Sequence, residues 1–140
     1  MMNWVVLGLL SAVSAALVAV FGKIGIEHVD TTLATTVRAV IMVFFLVATS
    51  LLLGKAPLLH TIDNKALLYI TLSGIAGALS WFFYFFALKL GPASGVAALD
   101  RLSVVFVFVL ALLFLGEKFT YVSALGALFI AIGAVLMVVK

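Results

Sequence analysis

Five stretches of this chain, residues 3–22, 31–53, 66–90, 93–115 and 119–139, are apolar over 20 to 25 residues and hold at most two charged groups each. A run of that length matches the roughly 30 Å hydrocarbon core of a bilayer at about 1.5 Å rise per residue. Inside that core every backbone N–H and C=O must be bonded within the protein, so a spanning run is either a helix or part of a closed barrel. The runs lack the apolar–polar alternation of barrel strands. The expectation is an all-α membrane protein with five transmembrane helices. The runs take up 112 of 140 residues, which leaves no room for a domain outside the membrane. The whole chain, residues 1–140, reads as one transmembrane domain.

Composition narrows the function classes. The chain is 67% hydrophobic and 9% charged, where a soluble domain carries about 25% charged residues. A cytosolic globular domain, a disordered chain and a nucleic-acid module are excluded. The net charge of +3 is spread thinly, with no basic run to track phosphates. No cysteine is present, which removes thiol nucleophiles and thiolate metal sites. His28 and His60 fall in different connections, no nucleophile–base spacing is visible, and no glycine loop could cradle a phosphate. No enzyme activity, cofactor or metal is expected. The first residues carry no Lys or Arg ahead of the apolar run, and the run is long enough to span, so a cleaved signal is not expected.

Charge placement bears on orientation. With five spans, Lys55, Lys65 and Lys118 flank one side and Lys23, Lys89 and Lys140 the other. The positive-inside rule needs a bias to fix topology, and here the flanking count is three against three. A chain without bias can insert both ways, and two opposed copies make an inverted-repeat pair. Counting Arg38 and Arg101 gives five against three, a weak preference for the N-terminus outside, and a single orientation is the alternative. Small residues support close helix packing in lipid. Gly8, Ala12, Ala15, Ala19 and Gly22 share one stripe of span one, and Ser123, Ala127, Ala131 and Ala134 one stripe of span five, with Gly126 and Gly133 on another face.

Three ionisable residues lie within spans, where insertion costs roughly 2.5–3.5 kcal/mol each and functional pathways concentrate. Arg38 and Asp100 both sit seven residues after the start of their spans, about 10 Å deep. Arg101 follows Asp100 but projects about 100° away on an ideal helix, so a partner for Asp100 is expected from another span, with Arg38 at matching depth. A structural ion pair is the alternative to a substrate or proton pathway. Span three contains Trp81-Phe82-Phe83-Tyr84-Phe85-Phe86. At about 100° per residue this run reaches every face of a helix. Trp81 and Tyr84 are the cavity candidates, each pairing an apolar ring with a hydrogen-bonding group. Glu117 at the end of span four opposes the helix dipole, so a holding partner is expected.

Ala87-Leu88-Lys89-Leu90-Gly91-Pro92-Ala93-Ser94, then Phe114-Leu115-Gly116-Glu117-Lys118 and the span bearing Gly126 and Gly133, resemble the EamA-like unit of the drug/metabolite transporter superfamily. Arg38 matches an arginine that family places in its second span. The likeness covers nearly the whole chain and resembles the short, single-unit, five-span branch. It implies half of a ten-span carrier with a central cavity, working by alternating access. Two departures stand out. Leu102-Ser103-Val104 replaces a proline segment early in the fourth span. No acid precedes Glu27, so the span-one carboxylate of small multidrug carriers is missing.

The sequence reading is therefore a secondary transporter, an exporter of a small metabolite such as an amino acid, in a prokaryotic inner or plasma membrane. It would act as an antiparallel dual-topology homodimer, with the lipid bilayer and a small-molecule substrate as its other partners and no nucleic acid. Arg38, Asp100, Trp81, Tyr84 and Arg101 are the substrate-binding or coupling candidates. The competing readings are a lipid-linked substrate flippase subunit and a non-transporting membrane partner protein.

Overall fold

In the computed structural model, which describes residues 3–139, every regular element is helical. Met1, Met2 and Lys140, which entered the signal and charge readings, lie outside the described residues. The order is α1 (Trp4–Gly25), α2 (Thr31–Leu52), a 3₁₀ turn (Ala56–Thr61), α3 (Asn64–Leu90), α4 (Ala93–Asp100), α5 (Ser103–Leu110), a π turn (Ala111–Leu115) and α6 (Tyr121–Leu136). Four helical stretches, α1, α2, α3 and Ala93–Leu115, have 22, 22, 27 and 23 residues and are long and apolar enough to cross a membrane. The fifth, α6, has 16 residues. That gives it about 24 Å, short of a full hydrocarbon core. It starts later than residue 119 because Thr120 is extended, at φ −132° and ψ 130°.

The helix boundaries have local causes. Asp30 accepts a hydrogen bond from the Leu33 N–H at 2.9 Å, and Asp63 accepts one from the Ala66 N–H at 2.7 Å. Two of the five carboxylates thus satisfy orphan donors at the starts of α2 and α3. Pro92 precedes α4 in an extended conformation, and its carbonyl accepts the Val96 N–H at 3.0 Å. Gly91 and Pro92 form the turn between α3 and α4, and Gly95 lies in the first turn of α4.

The Ala93–Leu115 stretch ends at Gly116, which lies at φ 65° and ψ 25° and donates its N–H to the Ala111 carbonyl. Glu117 donates its own N–H to the same carbonyl at 3.2 Å. This left-handed closure favours glycine, because a Cβ there crowds the following carbonyl. Gly116→Ala is expected to destabilise the protein by about 1–2 kcal/mol, read as a lower unfolding temperature in detergent. Gly74→Ala is the control: it lies within α3 and its Cβ would meet nothing within 4 Å, so it should be neutral or slightly stabilising. Among the described residues no ion pair or hydrogen bond engages the exposed Glu117 carboxylate. The expected holding partner is not found.

The chain divides into two compact units, one comprising residues up to Lys23 together with those from Leu90 onward, the other Ile24–Lys89. In the first, α4 and α5 pack on α6. Gly95, Val96 and Ala98 of α4 are buried, as are Ala127 and Ala134 of α6. Most of the alanine stripe of span five is therefore consumed inside the unit, while Gly126 and Gly133 face open space. In α1 only the C-terminal part of the stripe is covered, with Ala19 buried and Gly8 and Ala12 exposed. Lys23 donates to the Gly91 carbonyl at 2.8 Å.

In the second unit Lys89 donates to the carbonyls of Ile26 and Glu27 at 2.6 and 2.8 Å. Ile26 and Leu88 are its best-buried large side chains. Lysines near helix ends commonly satisfy stranded carbonyls in this way. Two of the flanking lysines are thus also structural parts of the fold.

Candidate substrate site

The spacing of α3 decides which aromatic rings turn inward. Trp81, Tyr84, Phe85 and Leu88 stand at i, i+3, i+4 and i+7, one face of a helix. Phe85 and Leu88 are buried and Trp81 and Tyr84 half-buried, whereas Phe82, Phe83 and Phe86 on the other faces are exposed. Trp81 meets Tyr84 edge-to-face at 5.5 Å between ring centroids, and Phe85 lies 6.1 Å from Trp81. Such geometry suits the ring quadrupoles and gives a stiff cluster.

On α2 the covered face is short. Thr31 is buried, and Ala34, Thr35 and Arg38 are half-buried, again at helical spacing. The Arg38 guanidinium carbon sits 3.7 Å from the Trp81 ring centroid and 5.6 Å from that of Phe85. Stacking of this kind contributes about 0.5–2 kcal/mol, most when water is excluded. Among the described residues no carboxylate or carbonyl accepts a hydrogen bond from the Arg38 N–H groups. Arg38, Trp81 and Tyr84, all singled out from sequence, are brought together in one cluster. Phe85 completes it; its signal was its place four residues after Trp81 and one after Tyr84.

Asp100 and Arg101 belong to the other unit. Asp100 is the last residue of α4, and the chain tightens there. Arg101, Leu102, Val104 and Val105 each donate their N–H to the carbonyl three residues back, at 2.9–3.1 Å. A 3₁₀ interruption inside a spanning helix often marks a hinge. It occurs at Arg101-Leu102, without the proline that the family resemblance implied for this part of the span. The Arg101 guanidinium lies 3.8 Å from the Asp100 carboxylate, with side chains 49% and 37% exposed. The ion partner of Asp100 is therefore its own neighbour, which an unbroken helix would have turned away. At that exposure and distance the pair contributes at most about 1 kcal/mol.

One open apolar groove of about 540 Å³ lies between the C-terminal end of α2 and the 3₁₀ turn, with Lys55 and Ser50 among its lining residues. It contains none of the sequence-predicted site residues and lies eight or more residues along α2 from Arg38. The groove has no aromatic residue in its lining, whereas the cluster joins a charge to rings.

Four helical stretches long and apolar enough to span a bilayer define the class as a multi-pass membrane protein. The sequence matches the EamA-like transporter family over residues 2–139. It is 42% identical over 137 residues, 98% of this chain and 97% of the relative, to a protein of Sinorhizobium sp. described as an uncharacterized transporter in the cobO 3' region. No solved structure matches significantly. The chain belongs to the EamA-like transporter family, as a short, single unit.

Proposed function

We propose that this protein is a secondary active transporter, an exporter of a small metabolite such as an amino acid or a related solute, working as an antiparallel homodimer by alternating access. The observation that carries the site is the Arg38 guanidinium stacked 3.7 Å over Trp81, about 10 Å from the start of α2. A charge at that depth is costly and is retained where it faces a wet cavity or a ligand. Arg38 binds the anionic group, Trp81 and Tyr84 shape the apolar wall, and Asp100 with Arg101 serves coupling at the α4–α5 break. Inverted-repeat carriers place their sites near the midplane on interrupted helices, and the 3₁₀ interruption at Asp100 fits that use.

In this reading the chain is one EamA-like domain of five passages in a bacterial inner membrane, with α6 as the fifth. A second, inverted copy supplies the other five. The open faces of Gly126 and Gly133 and the exposed Gly8 and Ala12 suit close approach by another helix. Fusing a cytoplasm-active and a periplasm-active reporter separately to the C-terminus is expected to give activity with both. Activity from one reporter alone would overturn dual insertion and leave the single-orientation carrier.

A further inference from the structure

Resting on the reading of the Arg38 cluster as the transport site, we infer that its ligand is a monocarboxylate with an apolar body, held by the Arg38 N–H edge with its body against Trp81 and Tyr84. Three observations support this class. First, the guanidinium carbon lies over the Trp81 ring, 3.7 Å from its centroid, and among the described residues of this unit no carboxylate or carbonyl accepts from its N–H groups. A planar guanidinium locked by a ring presents two parallel donors, the geometry that matches a carboxylate in a bidentate pair. Lysine in the same place would offer a point charge with no such preference.

Second, the charge count is one. The other charged residues of residues 24–89 are Glu27, Asp30, Lys55, Asp63, Lys65 and Lys89, and they fall in the connections or at the helix ends. Arg38 is thus the one ionised group along the interior of α2 and α3. A monoanion forms a neutral pair with it, whereas a dianion carries a residual charge into a low-dielectric site. A cation meets only repulsion there. Third, the neighbours of Arg38 are rings. Trp81 lies under the guanidinium and meets Tyr84 edge-to-face, and both rings are half-buried and keep accessible surface, so a flat apolar body is matched better than a hydroxylated one.

The stack supplies its own reporter. The chain has two tryptophans, Trp4 and Trp81, and Trp4 is exposed at the start of α1. In the purified full-length Trp4→Phe protein, Trp81 is the sole indole, and its emission reads the site without any transport assay. Four probes of similar body are titrated: benzoate, benzyl alcohol, benzylamine and phenyl phosphate. Benzoate is expected to give a saturable change, with benzyl alcohol and benzylamine at least tenfold weaker and phenyl phosphate also at least tenfold weaker. In Arg38→Gln the benzoate response should weaken at least tenfold.

Benzyl alcohol or benzylamine binding as tightly as benzoate would overturn the inference on the unaltered site, even if the Arg38 variant failed to fold. Tighter binding of phenyl phosphate would overturn the monoanion assignment. The transporter reading is tested separately, by counterflow in proteoliposomes. Counterflow of amines without carboxylate binding at Trp81 would sink this inference and keep the carrier. Carboxylate binding with no counterflow of any probe would do the reverse.

Discussion

Replacing Arg38 with alanine is expected to lower transport by at least about 100-fold while leaving the protein as stable as before or more so. The two effects have different origins. A bidentate charge-assisted pair contributes about 1.5–3 kcal/mol per bond to ligand binding, and about 1.4 kcal/mol is a factor of ten. The loss of two such bonds accounts for the transport defect. For the folded protein, the variant loses a stack contributing about 0.5–2 kcal/mol. It also loses the cost of holding a guanidinium inside the span, roughly 2.5–3.5 kcal/mol on insertion scales. The second figure is the larger, so the unfolding temperature in detergent should hold or rise. A purely structural arginine predicts the opposite pattern, with less folded protein and a lower unfolding temperature. Counterflow in proteoliposomes and thermal unfolding on the same preparation check both at once.

Asp100→Asn should abolish ion-coupled transport, a loss of at least about 100-fold in gradient-driven uptake, with little change in stability. Asparagine keeps the shape and the hydrogen-bonding capacity but neither takes up a proton nor attracts a cation. The ion pair it removes is long at 3.8 Å and partly exposed, so at most about 1 kcal/mol of folding stability goes with it. For a domain of this size that is a shift of a few degrees. Uptake into proteoliposomes with and without an imposed pH gradient is the measurement. If the variant still responds to the gradient as the parent does, Asp100 is not the coupling group. The position at the 3₁₀ interruption between α4 and α5 also predicts that exchange without a gradient survives, because rocking needs the hinge but not the charge.

Much of this molecule was legible before any tertiary information. Each of the first four apolar runs became helix within three residues of its drawn ends, because length and burial in lipid leave the backbone no other way to satisfy itself. The Gly91–Pro92 turn was legible too, since proline and glycine constrain backbone geometry locally. Arg38 announced itself by its cost, being a charge where charges are rare. Trp81 and Tyr84 stood out within the six-ring run because they alone couple a ring to a polar atom.

Other features required the folded chain. A run of six aromatics visits every face of a helix, so spacing alone left open which rings turn inward; packing selected Trp81, Tyr84 and Phe85 and left Phe83 64% exposed. The pairing of Asp100 with Arg101 was hidden because an ideal helix separates neighbours by about 100°, and the helix is broken there by four short-range bonds, donated by Arg101, Leu102, Val104 and Val105. The holding partner expected for Glu117 is absent among the described residues, and a left-handed glycine closes the helix instead. What the sequence by itself determined was the solvent, the helices and the rarity of one arginine, all properties of single segments against a bilayer. Only the tertiary structure decided that this arginine sits over the Trp81 ring, with no carboxylate or carbonyl on its N–H groups among the described residues. That contact joins residues 43 positions apart in sequence, and no local pattern encodes the angle at which two helices bring a charge onto a ring.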